Sequence, residues 1–387
     1  MERISLQDCL DSVIDNRGVT PHKKGTEWQT SGIPVLSANN VKTTGIHNKD
    51  EIRFIPKEIY DSWMKQPLEK GDILLTSEAP AGEVLYWDSD EKIVVGQRLY
   101  GLKIKKNINS KYLKYYLQSD VGQKAIQQQQ SGSTVFGISA KTFSNIMIDL
   151  PEKPIQDKIG NTLYSIDHKI NINKQLNDNF YGLLRLEYDK WFYRFEGNKD
   201  GLIWNEKLKA NIPSNWSVKS LGELLIESKK SSVQVNEARK NDGPYPFFTS
   251  GEEIIMYKDF FVDGFNIFMN TGGNADVKFY IGKSSYSTDT WCINGGKYSP
   301  YLYLYLLSIL KYINENCFAG SGLKHLQKEH FKGINVLIPD DETLDKFNSF
   351  SMPLLSKISK NDVESRELSE IRDFLLPLLI NGDIDFK

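Results

Sequence analysis

The second half of this chain repeats the first. Shifting the 387-residue sequence by 188 positions sets Pro151 on Pro339, and the match then runs without a gap. Gly132 meets Gly320, Ser133 meets Ser321, Phe143 meets Phe331 and Ile146 meets Ile334. Asp157–Lys158 meets Asp345–Lys346, Lys169–Ile170 meets Lys357–Ile358, and Asn173 meets Asn361. Ten identities thus fall between residues 132 and 173, where composition alone gives roughly two or three. Apolar partners such as Ile148/Val336, Leu150/Ile338 and Ile166/Leu354 extend the match. Upstream the copies drift: Tyr112–Leu113 pairs best with Tyr301–Leu302, one residue out of phase, and Gly71–Val84 lies opposite Gly264–Val277. A chain built this way must fold twice on one plan. Each copy opens with a divergent globular part and closes with a better preserved segment.

The globular parts read as strand-rich. Ile33–Leu36, Ile73–Thr76, Glu83–Trp87, Lys92–Val95 and Leu99–Ile104 are short β-branched or aromatic runs bounded by Gly, Pro, Asn and Asp. Tyr245–Thr249, Ile254–Tyr257, Ile267–Asn270 and Val277–Ile281 do the same in the second copy. One helix is expected in each part, near Lys111–Gln130 and near Pro300–Asn316. The fold class is therefore α+β, two tandem domains with a curved sheet and helices.

The preserved segments read as long helices. After Pro151, apolar residues recur at Ile155, Ile159, Leu163, Ile166, Ile170, Phe180, Leu184 and Trp191, the alternating three- and four-residue steps of a coiled coil. Asn173 and Asn177 interrupt that seam, as polar residues do where register must be fixed. The second helix repeats the pattern with Phe347, Leu354, Ile358, Asn361, Leu368, Ile371 and Leu375. Pro353 and Pro377 predict a kink or break there. A helix from Pro154 to Tyr188 spans roughly 50 Å. Neither stripe can be buried on a small sheet alone, so the two helices are expected to pack antiparallel, related by a pseudo-twofold. The domains expected are 1–150, a helical region 151–200, then 201–338 and a second helical region 339–387.

Chemistry is conspicuous by its absence from the sequence. No Asn/Asp-Pro-Pro-aromatic tetrapeptide for gripping a flipped base exists, and Asn211-Ile212-Pro213 is the nearest failure. Gly282–Lys283–Ser284 ends like a phosphate loop, yet Val277 stands where the first glycine is required. The five histidines show no metal-ligand pairing, and no metal site is expected. Cys9, Cys292 and Cys317 are scattered and odd in number, which fits a reducing compartment. The opening MERISLQDCL lacks a secretory pattern, and the apolar run Tyr301–Leu310 is about half of a membrane span. A cytoplasmic, non-catalytic protein is expected. Its net charge of −2 excludes a protein that coats DNA by bulk charge.

Four segments carry a resemblance. Phe180–Glu196, FYGLLRLEYDKWFYRFE, leads into Ile212–Leu225, IPSNWSVKSLGELL. Ile371–Phe386, IRDFLLPLLINGDIDF, closes the second copy, and Ile4–Asp15, ISLQDCLDSVID, opens the first. Together they resemble the DNA-specificity (S) subunits of type I restriction–modification systems, in their two conserved regions and in the start of the first recognition domain. The linker Gly197–Asn211 matches no pattern of that family. The resemblance implies a chain without catalysis that reads an asymmetric, bipartite duplex target, one half-site per domain. It implies a half-site spacing held by the paired helices and two docked methyltransferase subunits. S-adenosylmethionine is expected in the methyltransferase, not in this chain, and restriction and translocation subunits complete the complex. Two alternatives stand beside it: a modification-only methylation system, and a coiled-coil scaffold that binds protein.

Base readout requires Arg, Lys, Asn, Gln, Ser or Thr on loops and strand ends. In the first domain the candidates are Asn39, Asn40, Lys42, Thr76, Ser77, Glu78, Gln97, Arg98, Ser133, Thr134 and Lys141. In the second they are Thr249, Ser250, Asn270, Thr271, Asn274, Thr288, Ser321 and Lys324. Lys103, Lys105, Lys106, Lys111 and Lys114 form the densest basic stretch, read either as a phosphate contact or as a solvated face.

Overall fold

The computed structural model describes residues 2–131, 136–196 and 201–384. The chain forms two compact units, residues 1–169 with 368–387, and residues 170–367. Each unit takes its globular part from one copy of the repeat and helical segments from both.

In the first unit, a four-stranded antiparallel sheet runs in the order Leu10–Asp15, Leu99–Ile104, Ile73–Thr76, Val84–Tyr86. A three-stranded sheet places Ile33–Leu36 antiparallel to Arg53–Ile55 and parallel to Val94–Val95. A two-stranded ribbon joins Glu2–Ser5 to Met147–Leu150. The second unit repeats this strand for strand. Its four-stranded sheet runs Ile226–Glu227, Thr290–Asn294, Phe265–Asn270, Val277–Ile281. Its three-stranded sheet sets Tyr245–Phe248 antiparallel to Ile254–Tyr257 and parallel to Ser285–Tyr286. Its ribbon joins Ser217–Ser220 to Asn335–Ile338. The topology is thus repeated even where the sequence has drifted, because burial constrains which face is apolar but not which apolar residue fills it.

The out-of-phase alignment of the tyrosines holds in detail. Tyr112 donates to the Asp149 carbonyl and Tyr301 to that of Leu337. Tyr116 donates to the Met147 carbonyl and Tyr305 to that of Asn335. The helix expected near residues 111–130 is instead two, Ser110–Gln118 and Asp120–Gln127. Ser119 causes the break: its hydroxyl bonds the Tyr116 carbonyl and accepts from Gly122 N–H, a local capping that competes with helix continuation. The counterpart near 300–316 is likewise Ser299–Ser308 followed by Leu310–Asn316.

The first long helix spans Lys153–Tyr188 and continues as one π turn, Asp189–Tyr193. The second spans Asp341–Asn381 without interruption, so the break expected at Pro353 and Pro377 does not occur. Both prolines are exposed, as are Ser349 and Asp373 four residues earlier, whose carbonyls lose their partners on a face open to water. Buried Phe347, Leu355 and Ile358 hold the helix on either side of Pro353.

Within the second unit the two helices pair antiparallel through polar side chains. Asn173 Nδ2 donates to Glu364 and to Ser365 Oγ at 2.9 and 3.2 Å, and Asn177 Nδ2 donates to Asp362 at 2.7 Å. Asn361 Nδ2 donates to Asn177 Oδ1 at 2.8 Å. The pairs 173–365 and 177–361 exchange under the 188-residue shift, the signature of an isologous contact. Of the residues expected in the seam, Ile159, Leu163, Leu184, Ile358, Asn173 and Asn361 are buried. Ile166, Ile170, Phe180, Leu354, Leu368 and Leu375 are half-buried, and Leu355 rather than Leu354 is the fully buried leucine. Ile155 and Ile371 are exposed.

In the second unit the quoted aromatic motifs meet. Phe192 packs on Tyr301, Phe347 and Trp216 with ring centres 4.7, 4.8 and 5.9 Å apart, and Phe195 meets Trp216 edge-on at 5.6 Å. Trp216 Nε1 donates to Asp340 at 2.8 Å. In the first unit the repeat partner of Phe192, Ile380, is buried with Leu379 in the apolar core. All three cysteines are free and buried, and burial pushes the thiols of Cys9 and Cys292 up to about 12. No helix among the described residues is long and apolar enough to cross a membrane.

Candidate nucleic-acid interface

The four-stranded sheets each end in a cluster of loops, and most of the candidate residues lie there. In the first unit the last rung of the ladder pairs Leu99 with Thr76. Beyond it, Ser77 N–H donates to the Arg98 carbonyl at 2.9 Å and Ile138 N–H to the Ser77 carbonyl at 2.8 Å. Glu78 is bridged to Gly137. Ala38 N–H donates to the Gln97 carbonyl, and Thr43 reaches Glu83 with both N–H and hydroxyl at 2.7 Å. The segments 37–43, 76–83, 97–98 and 136–138 are therefore one surface. Ser133 and Thr134 lie outside the described residues.

The second unit builds the same end. Asn270 pairs with Thr290 on the last rung, Thr271 N–H donates to the Asp289 carbonyl at 3.0 Å, and Leu326 N–H to the Thr271 carbonyl at 3.0 Å. Gly272 is bridged to His325, and Gly273 N–H donates to the Lys324 carbonyl. Thr271, Asn274, Thr288, Ser321 and Lys324 are thus gathered on one loop cluster, with Thr249 tied in through Lys278.

Burial divides the candidates. Asn40, Thr76, Ser77, Thr249 and Asn270 are buried, and four of the five visibly shape loop backbone. Asn40 Oδ1 accepts from Ser37, Thr76 Oγ1 bonds Pro80 and Glu83, and Thr249 Oγ1 donates to the Glu253 carbonyl. Asn270 bonds the backbone of Gly272, Asn274 and Asp276. Ser77 Oγ has no partner among the described residues. Gln97 is exposed but holds the turn at Gly18–Val19, and Asn39 donates to Glu51. Lys42 lies 3.8 Å from Glu83. Arg98, Lys141, Asn274, Ser321 and Lys324 are exposed, with Glu78, Ser250, Thr271 and Thr288 half-buried.

The basic stretch is not a free positive face. Lys103 pairs with Glu69 and Asp72 at 2.8 and 2.9 Å, Lys105 donates to the Asp8 carbonyl, and Lys111 sits 3.7 Å above the Tyr164 ring. Lys114 is buried against Asp167 at 2.7 Å, which Arg372 also contacts at 2.9 Å. Burial draws the Lys114 ammonium down to about 8 despite Asp167. Burial also works to raise Asp167, but Lys114, Tyr115 and Arg372 outweigh it and hold the carboxyl below its usual range.

Two cations that spacing did not reveal lie just inside the loops. The Arg17 guanidinium lies 4.3 Å above the Tyr100 ring and chelates Asp15. Lys328 lies 4.4 Å above Trp291, the residue equivalent to Tyr100. Phe143 meets Tyr100 edge-on at 5.3 Å and Phe331 meets Trp291 at 5.4 Å, so cation, ring and supporting ring recur in both units. The repeat alignment, had it been carried upstream to Tyr100 and Trp291, is the signal that would have pointed there. A groove of about 650 Å³ in the second unit lies between the end of the first long helix and Tyr301–Ile309, and no candidate reader lines it. Among the described residues no cluster of His, Cys, Asp and Glu could hold a metal ion.

Sequence and structure comparisons place these features in a known family. The family described as type I restriction modification DNA specificity domain matches residues 1–179 and again residues 213–371. The type I restriction enzyme MjaIX specificity subunit of Methanocaldococcus jannaschii is 26% identical over 95% of this chain and 90% of its own length. The HindI specificity subunit of Haemophilus influenzae is 22% identical over 83% of this chain and 88% of its own. The crystal structure of a type I restriction–modification S subunit from M. genitalium shares the fold, with a TM-score of 0.68 and 19% identity over 98% of this chain and 95% of that one.

Proposed function

The chain belongs to the type I restriction–modification DNA specificity family, and from that premise we propose that its two units read two different half-sites of one duplex. It is a specificity subunit, a recognition chain without catalysis of its own. The observation that carries the bipartite reading is the loop cluster built twice on the same backbone bonds with different side chains displayed. One frame lets each unit meet DNA in the same way; different side chains select different bases.

In this reading the two long helices hold the half-site spacing, and two methyltransferase subunits dock on the chain and bring S-adenosylmethionine for adenine methylation. Restriction and translocation subunits complete the assembly. The net charge of −2 gives this chain no bulk attraction for phosphate, and its densest basic stretch spends Lys103, Lys105, Lys111 and Lys114 on internal contacts. The partners therefore supply much of the phosphate contact. Each neutralised phosphate adds about −0.9 to the slope of log K against log salt. A salt titration of duplex binding tests this. The expected result is a steep slope for the complex with methyltransferase and a shallow one for the chain alone. Duplex binding by the complex that ignores salt contradicts the reading.

A further inference from the structure

One position of the common frame carries opposite charge in the two units. Arg98 and Asp289 occupy it. Each lies immediately before the last rung of the ladder, Leu99–Thr76 in one unit and Thr290–Asn270 in the other. Each offers its carbonyl to the residue across the sheet, Ser77 N–H at 2.9 Å and Thr271 N–H at 3.0 Å. Both side chains are exposed.

The backbone at both places is held firmly while the side chain is left available. Arg98 has φ of +59°, a conformation that long side chains rarely adopt and that clusters at functional sites. Glu78 stands 3.7 Å from its Nε, and the two Nη groups make no bond among the described residues. That leaves the outer edge of the fork, the edge able to grip two acceptors at once. Asp289 is pinned through its carbonyl by both N–H and hydroxyl of Thr271, each at 3.0 Å. Its carboxylate makes no hydrogen bond or ion pair among the described residues. Glu78 has no acidic counterpart in the second unit, where Gly272 takes its place.

A guanidinium and a carboxylate cannot read the same base edge. Arginine matches the paired acceptors O6 and N7 of guanine; a carboxylate accepts from an exocyclic amine, cytosine N4 foremost. A carboxylate near phosphate is repelled, so its presence at a reading position is rewarded only by such a donor. Resting on the bipartite reading above, we propose that Arg98 sets a guanine preference in the half-site of the first unit. Asp289 sets a preference for an amine-bearing base, cytosine before adenine, at the corresponding place in the other half-site.

The test uses the complex reconstituted with its methyltransferase subunits. A preferred duplex is first selected from a randomised pool, and binding is then measured against every single-base substitution of it. Arg98→Gln is expected to flatten discrimination at one base pair of one half-site by roughly five- to a hundredfold. Asp289→Asn is expected to shift preference from cytosine towards adenine at one base pair of the other half-site, since asparagine reads adenine N6 and N7. Both residues are exposed, and wild-type discrimination at the opposite half-site serves as the folding control within each variant. Unchanged discrimination, changes confined to the same half-site for both variants, or uniform weakening across all duplexes overturns the assignment and leaves the bipartite reading standing. Failure of the wild-type complex to select any sequence overturns both.

Discussion

The two units share a strand order but not the chemistry that ties their helices to their globular parts. In the first unit half-buried Asp167 gathers buried Lys114 and Tyr115 with half-buried Arg372 into an ionic cluster. The 188-residue shift carries Asp167 to Leu355 and Arg372 to Leu184, and both leucines are fully buried in the apolar core of the second unit. The aligned partner of Lys114 is Tyr303, which donates to Tyr181 at 3.4 Å. One frame therefore accepts an ionic or an apolar junction, provided each is complete in itself. An ion pair buried in this way offers little net stability over leucines, but breaking it leaves a charge stranded. The same tolerance frees the loop ends to diverge.

The two junctions differ most at Asp167. Asp167→Ala strands Lys114 beside Arg372 and is expected to cost the first unit about 3–5 kcal/mol, read as lost hydrogen-exchange protection in residues 110–118. Leu355→Ala opens a cavity and is expected to cost the second unit about 2–5 kcal/mol, with protection lost around residues 341–358 instead. Protection lost equally in both units after either change would mean that the junctions are not separate. A smaller effect, about 1–3 kcal/mol, is expected from Asn177→Ala, which leaves the Asn361 amide unbonded in the seam; thermal unfolding measures it.

The pH dependence sharpens the same contrast. Asp167 titrates lower in the fold than in the unfolded chain, so its stabilisation is present above the ordinary carboxyl range and lost as pH falls through the folded value. Lys114, at about 8 against an ordinary 10.5, acts oppositely to a surface lysine. Between those values the unfolded chain holds a proton that the folded lysine has released, so its contribution rises with pH there. Acid is expected to loosen the junction of the first unit while Leu184 and Leu355, with nothing to titrate, hold. Exchange rates at residues 110–118 that do not change between neutral and acid pH, after correction for intrinsic exchange, would count against the ionic assignment.

Much of this was legible in the sequence because repeats and periodicity are local or self-referential signals. The 188-residue shift found the frame, and Leu99–Ile104, Ile254–Tyr257 and Val277–Ile281 are strands with the bounds that alternation and flanking turns predicted. What was not legible depends on residues distant along the chain. Lys114 reads as part of a basic stretch until Asp167 and Arg372 are folded against it. Arg17 reads as a surface charge until Tyr100 lies beneath it. Thr76 and Asn270 have the chemistry of base readers, but the loops consume their hydrogen bonds. Side-chain type suggested what could touch DNA; burial and internal hydrogen bonds leave Arg98, Lys141, Asn274, Ser321, Lys324 and their half-buried neighbours as the candidates still open.

In the proposed reading one frame, built twice, displays two different reading surfaces. Binding-site selection from a randomised duplex pool, with the purified complex of this chain and its methyltransferase, tests it most directly. Two dissimilar half-sites separated by a constant number of unspecified base pairs are expected. Recovery of a perfect palindrome, or of a single uninterrupted site, would contradict it.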